Sequence, residues 1–324
     1  MIYRPFGKTG IHVSVVGFGG WALGSHWGMQ PEPDSIEALN KAIDLGINFI
    51  DTAIAYGDGK SEQVIGKVIQ NRSEEIFVAS KIPPKPGPWP PSPYCVAEER
   101  FPEKYIRESV DFTLKNLKRE YIDVMQIHTW TRAWIRNPFP LQVLRELQKE
   151  GKIRFIGVST PEHDQNALID LMKNGWVDAV QVIYNIFEQE PAAEFLPVAQ
   201  ENGIGVIVRM PFDEGVLTGK YTKDHQFPED DFRTRYFAGD RLERAVERTE
   251  KIRKDILDSG YTLPQVAIKF SYNHPAVSTV IAGIRNGEQA HMNAEVAELP
   301  DLDPKLVQKL RKHAWLRAFW YAGK

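Results

Sequence analysis

Cysteine is nearly absent. Cys95 is the only one in 324 residues, so no disulfide can form within the chain. That excludes a disulfide-stapled secreted scaffold and points to a reducing, cytoplasmic setting. No apolar run reaches the ~20 residues that a membrane-spanning helix needs. The first residues, Met1-Ile2-Tyr3-Arg4-Pro5, carry no apolar stretch of the kind a secretory signal uses. Positive charge is not in excess: 40 Lys and Arg stand against 43 Asp and Glu, for a net charge of −3. Such a balance gives no electrostatic footprint for nucleic acid. The histidines are scattered without ligand spacing, so no metal site is expected. Two signatures of common chemistries are missing as well. Gly17-Phe18-Gly19-Gly20 lacks the Gly-x-Gly-x-x-Gly spacing of a dinucleotide-binding first turn. No Gly-x-Ser-x-Gly elbow offers a serine nucleophile.

What is present is an alternation of short apolar runs and amphipathic segments. Residues 3–16 read as a β-hairpin turning at Gly7–Gly10. Strands are expected over Val15–Gly20, Ile47–Ile50, Ile76–Ser80, Tyr121–Ile127, Ile153–Val158, Ala179–Val182, Ile204–Val208 and Val277–Ile281. Between them the periodicity predicts helices over Ser35–Leu45 (capped by Asp34 and stopped at Gly46), Ser61–Ile69, Glu103–Leu117, Leu141–Lys149, Asp164–Met172, Ala192–Glu201 and Arg241–Leu257. Pro264 opens a further helix, and a last one follows Gly287. Two connections are unusual, the Pro-rich Pro83–Pro93 and the long Pro211–Gly239. Long loops inside compact folds are commonly functional. Eight β-then-α units with near-continuous apolar strands predict a parallel sheet closed into a (β/α)8 TIM barrel. The runner-up is an open doubly wound sheet. Length alone suggests roughly two domains, but barrels of this kind run ~250 residues or more as one. A single domain over residues 1–324 is therefore the expectation.

Asp51, Lys81 and His128 each stand at the end of a predicted strand, the second, third and fourth, and Tyr56 lies on the loop after the second. In a barrel all four converge on the C-terminal mouth, where chemistry sits. Taken singly each has a plainer reading: a turn cap, a packed aromatic, a solvated lysine, a structural histidine. Four at successive strand ends are harder to explain as independent accidents. Together they suggest proton transfer to a carbonyl. An ammonium near the phenol would stabilise its phenolate and lower its pKa. Tyr56 is then the general acid, Lys81 its tuner, Asp51 the partner of Lys81, and His128 a donor to the substrate oxygen. Ile281–Gln289, after the last strand and opening a helix, is a candidate phosphate site, with Arg285 able to pair bidentately.

With Phe49-Ile50-Asp51-Thr52-Ala53, Tyr56-Gly57, Ser61-Glu62, Phe77-Val78-Ala79-Ser80-Lys81 and Gln126-Ile127-His128 in view, the chain resembles the aldo-keto reductase family over nearly its whole length. The resemblance implies a barrel closed at its bottom by the hairpin and NADPH/NADP⁺ lying extended across the mouth. It also implies Tyr56 as proton donor, modulated by Asp51 and Lys81. By the same resemblance Gly20, Trp21 and Asp51 lie near the nicotinamide ribose, and Ser159, Thr160 and Gln181 at its carboxamide. Arg209 and Met210 stand beside the ring. Pro211, Phe212, Gly215, Leu217, Gly219 and Lys220 pass over the pyrophosphate. Gly283, Ile284, Arg285, Gln289 and Asn293 hold the adenosine and its 2′-phosphate. Arg285 is the reason to expect NADPH over NADH. The chain departs from the family's commonest pattern at Thr160, Arg209, Ala282 and Met292. A guanidinium at Arg209 should sit less well beside an oxidised, positively charged ring than beside a reduced one.

Trp21, Trp27, Trp89, Trp130 and Trp134 fall on predicted strand-end loops, and the tail carries Trp315, Phe319, Trp320 and Tyr321. Aromatic linings suit apolar carbonyls, although any one of these rings more often packs a loop down. The tail is expected over the mouth, with a dimer contact as the alternative. The reading is an NADPH-dependent oxidoreductase interconverting aldehydes or ketones with alcohols, acting on small molecules as a monomer or weak homo-oligomer. A second reading is a nicotinamide-binding sensor or accessory subunit. A third is a barrel isomerase or aldolase using a Lys81 Schiff base, which the adjacent Asp51 disfavours by keeping the lysine charged.

Overall fold

A computed structural model of the protein describes residues 1–25, 28–88 and 91–316. It begins with two short antiparallel strands, β1 (Tyr3–Pro5) and β2 (His12–Ser14). Eight more follow: β3 (Val16–Gly19), β4 (Phe49–Asp51), β5 (Phe77–Ile82), β6 (Ile122–Ile127), β7 (Ile153–Ser159), β8 (Ala179–Ile183), β9 (Gly205–Arg209) and β10 (Thr279–Gly283). Each pairs in parallel with the next, and β10 returns to β3, which closes the barrel. This is the expected (β/α)8 architecture with its N-terminal hairpin.

Period-two alternation along each strand sorts the barrel interior into layers. Near the N-terminal end lie Phe49, Phe77, Ala79, Val124, Ala179, Ile207 and Ile281, a buried apolar plug. Phe6, on the hairpin turn, joins it from below and packs on Phe49 with ring centroids 5.5 Å apart. Gly205 makes room for Phe6, since a Cβ there would stand 2.9 Å from its ring. Gly7 has φ +57°, and a Cβ on it would collide with the Gly203 carbonyl. The hairpin thus seats directly on the start of β9. One step further along the same strand faces come Asp51, Lys81, Gln126, Ser159, Gln181 and Arg209, so the plug hands over to a polar layer at the mouth.

Several boundaries differ from the sequence expectation. Lys81 lies within β5 rather than beyond it. The first helix runs Glu32–Asp44, with Pro31 at its N-cap and Asp34 inside its first turn, so Asp34 is not the cap. The helix expected over Asp164–Met172 is reduced to Ile169–Lys173. There the Gln165 side chain turns inward, accepting from Thr160 Oγ1 at 2.8 Å and Ile183 N at 3.2 Å, and the chain before it stays in turns. The Ala192–Glu201 helix begins at Phe195. The last strand falls two residues later than expected because Gly283 pairs with Gly19. Among the described residues no helix is long and apolar enough to cross a membrane.

Replacing Phe6 with Ala would leave a cavity in the plug that the surrounding strands cannot fill. Urea unfolding should report a loss of about 3–5 kcal/mol. A loss under ~1 kcal/mol would mean that the hairpin does not stopper the barrel.

Candidate active site

Lys81 is wholly buried, and its Nζ donates to Asp51 Oδ1 at 2.5 Å, to the Thr52 carbonyl at 2.7 Å and to Tyr56 Oη at 3.1 Å. A buried ammonium requires such partners. The second carboxylate oxygen of Asp51 accepts from Gln181 Nε2 at 2.7 Å and from Gln126 Nε2 at 3.3 Å. Gly157 leaves space for Gln126, whose Cγ would otherwise meet a Cβ at 2.7 Å. Tyr56 lies between Trp21, edge-on at 4.9 Å, and His128, at 6.0 Å between ring centroids. All four expected catalytic residues therefore come together.

Their electrostatics differ from the sequence expectation at one point. Burial pushes the Tyr56 phenol above its usual range, and Asp51 adds to this, while Lys81 and Arg209 pull the other way without prevailing. The phenol accordingly stays protonated. For Lys81, burial favours the neutral amine, but Asp51 and Tyr56 outweigh it and hold the ammonium. A charged lysine is a poor Schiff-base nucleophile, which counts against the aldolase reading. His128 is pulled well below the ordinary histidine value by burial and by the charges of Lys81 and Arg209, so it is a neutral imidazole.

The chain matches the family model "Aldo/keto reductase family" over residues 15–314. The chain belongs to the aldo/keto reductase family. It is 32% identical to "Aldo-keto reductase YhdN" of Bacillus subtilis, over 91% of this chain and 88% of that protein. It is 28% identical to the "NADH-specific methylglyoxal reductase" of Escherichia coli, over 94% and 97%. Among solved structures, the holo form of aldo-keto reductase AKR11C1 from Bacillus halodurans superposes with a TM-score of 0.76 at 26% identity, covering 97% of this chain and 96% of that one. Aldo-keto reductases are oxidoreductases that generally use nicotinamide cofactors.

The residues expected at a cofactor lie at strand ends and on the loops around the mouth of the barrel. Gly20 and Trp21 follow β3, Ser159 ends β7 and Arg209 ends β9. Thr160 turns its hydroxyl onto Gln165, and Gln181 spends its amide on Asp51. Arg209 donates to the Thr160 carbonyl at 3.1 Å and to Glu162 Oε1 at 3.2 Å, which bridges the loops after β7 and β9. Past Arg209 the backbone is strained: Met210, Asp213 and Glu214 all have positive φ, followed by Gly215 and Gly219. Left-handed runs of non-glycine residues concentrate at functional loops. Asn185 holds the Met210 carbonyl at 2.8 Å. Leu217 and Ile284 are wholly buried. Gly283 ends β10, and Arg285, Gln289 and Asn293 follow on the last loop and the helix Gly287–Glu295. Arg285, Asn286 and Gln289 line one wall of a cavity of about 370 Å³, with Gln30 and Asp34 opposite.

Sequence reasoning missed Gln126, Gln165 and Arg233. Period two along β6, starting from Val124, signals Gln126. Arg233 sits on the long loop, where nothing in the pattern marks it. It pairs with Asp231 Oδ1 at 2.9 Å and Tyr221 Oη at 2.7 Å. Lys220 lies close enough to Arg233 and Arg285 that, after burial, their charges help to lower its pKa. Asp231, paired with Arg233, offsets part of this positive charge. Phe232 meets Trp21 at 6.2 Å, so this loop reaches across the mouth. Of the expected pocket aromatics, Trp130 and Trp134 are buried against each other at 5.5 Å, and Trp315 is buried against Phe187. These three pack loops. Trp27, Trp89, Phe319, Trp320 and Tyr321 lie outside the described residues, as does the tail expected over the mouth.

His128 refuses a proton that an unfolded chain accepts below pH ~6.5. The unfolded state then binds more protons, so acidification through that range removes stability. NMR of the imidazole should show no titration midpoint near 6.5. A midpoint there would mean a solvated ring.

Proposed function

We propose that this chain is an NADP(H)-dependent oxidoreductase that interconverts aldehydes or ketones with alcohols, with Tyr56 as the proton donor. The observation that carries it is the relay of Asp51, Lys81 and Tyr56 at 2.5 and 3.1 Å, with the phenol facing His128 at the mouth. A nicotinamide held at the mouth would supply the hydride that becomes the new C–H of the alcohol. Tyr56 gives its proton to the carbonyl oxygen, and the phenolate left behind is stabilised by the Lys81 ammonium. Asp51 keeps that ammonium charged and in place. Neutral His128 retains a ring N–H to donate to the same oxygen and fix the carbonyl's orientation. Solvent returns the proton to Tyr56. The oxidation runs the same steps backwards.

The preference for the phosphorylated cofactor rests on Arg285, together with the nearby Lys220 and Arg233. One relative is named as NADH-specific, so the preference is a property to be measured on this chain. Small-molecule carbonyls are the substrate class, and a cytoplasmic monomer or weak homo-oligomer is the setting we infer.

Tyr56→Phe should lower carbonyl turnover by roughly 10²–10⁴-fold, read as NADPH oxidation at 340 nm, while cofactor binding persists. Retained turnover would remove Tyr56 from the reaction. Wild-type binding of NADPH without turnover of any aldehyde or ketone would favour the sensor reading. A second expectation concerns Arg209, which places positive charge beside the ring. Arg209→Tyr should tighten NADP⁺ more than NADPH, in equilibrium titrations of both forms. Equal effects on the two would show that its charge is spent on Glu162.

A further inference from the structure

Arg285 is fixed at several points. Its backbone N–H donates to Gln289 Oε1 at 2.9 Å, and its carbonyl accepts from Gln30 Nε2 at 2.8 Å. Its Nε donates back to Gln30 Oε1 at 2.8 Å, and Nη2 reaches the Met29 carbonyl at 3.1 Å. One glutamine side chain, only 4% exposed, therefore grips both ends of this arginine from 255 positions away in the chain. The grip joins the loop after β3 to the loop after β10, across the cavity of about 370 Å³ that both line.

We propose that Gln30 is a positioning residue that presents Arg285 to the cofactor's 2′-phosphate and so sets the preference between phosphorylated and unphosphorylated dinucleotides. This rests on the reading above that Arg285 meets that phosphate. A long arginine loses rotamer freedom when it binds an anion. Here the reciprocal pair with Gln30 has already restricted it before any ligand arrives. Charge decides why the partner is an amide. A carboxylate on Nε would pair with the guanidinium's charge, whereas the Gln30 amide oxygen at that position carries no charge. Among the described residues lining this cavity the acid is Asp34, on the first turn of the helix Glu32–Asp44, while the Nε of Arg285 meets an amide oxygen. Discrimination against NADH then depends on how rigidly Arg285 is held, as well as on its presence.

The test is the dissociation constants of NADPH and NADH, measured by cofactor fluorescence without turnover. The proteins are wild type, Gln30→Ala, Gln30→Glu, Arg285→Ala and the Gln30→Ala/Arg285→Ala double variant. Gln30→Ala should weaken NADPH by about tenfold and leave NADH within about twofold, as loss of one hydrogen bond to a charged group would. Gln30→Glu keeps the size of the side chain but pairs the guanidinium, and should erase more of the preference. In the Arg285→Ala background, Gln30→Ala should not change the NADPH-to-NADH ratio further, because Gln30 acts through Arg285. Equal weakening of both dinucleotides by Gln30→Ala, or an effect on the ratio that persists without Arg285, would make Gln30 a loop staple and overturn the inference. An Arg285→Ala variant that loses its preference while Gln30→Ala keeps it would sink the role of Gln30 alone. A ratio unchanged by Arg285→Ala would sink the reading of Arg285, and this inference with it.

Discussion

A lysine with no exposed surface sits inside this barrel, and the site is built to keep it charged. Lys81 spends its three protons on Asp51, the Thr52 carbonyl and Tyr56. A buried ammonium without a counter-ion would shed its proton, and a buried carboxylate without one would take a proton up. The pair therefore makes demands in turn. Asp51 needs both of its oxygens satisfied, and Gln181 and Gln126 supply the second. Those amides come from β8 and β6, so the charge of one lysine depends on strands on both sides of the barrel. Removing one partner of such a pair typically costs about 3–5 kcal/mol because the other charge is stranded. The network is better understood as what holds a poised phenol than as a source of net stability.

The layers explain how a stable fold tolerates this cluster. Below it lies the apolar plug of Phe6, Phe49, Phe77, Val124 and Ile207, closed by the hairpin. Above it lie the strained turn at Met210–Gly215 and the crossing loop that brings Phe232 to Trp21. Apolar packing is concentrated at one end and hydrogen-bonded ionisable groups at the other. A parallel barrel imposes this polarity, because every strand delivers its last residues to the same mouth.

Much of this was legible in the sequence. Eight apolar runs in β-then-α order marked the barrel, and ionisable groups at strand ends marked the mouth. The ring that also holds Ser159, Gln181 and Arg209 appears only in the fold; in the sequence Gln181 was marked by the family resemblance alone. What stayed hidden was of two kinds. Long-range pairings leave no local trace: Gln30 on Arg285, Asn185 on Met210, Gln165 on Thr160. The Asp164–Met172 helix failed for that reason, since periodicity cannot see a glutamine drawn inward to a distant strand. Net electrostatics were hidden too. Residue types said that an ammonium would lower the phenol's pKa; only burial, which needs the fold, shows the opposing effect to be larger.

That reversal bears on how the site would do its work. A phenol shifted down would rest partly as phenolate at neutral pH, with no proton to give. One raised by burial waits as a full acid. The ammonium at 3.1 Å then matters most after the proton has left, when a phenolate must be held in a dry site. Stabilisation that grows as charge develops lowers a barrier, whereas stabilisation already present in the resting state does not. Burial of Tyr56 and charge on Lys81 are thus not rival influences on one pKa. In the proposed reaction, burial would set the resting state, and the ammonium would favour the transition state that departs from it.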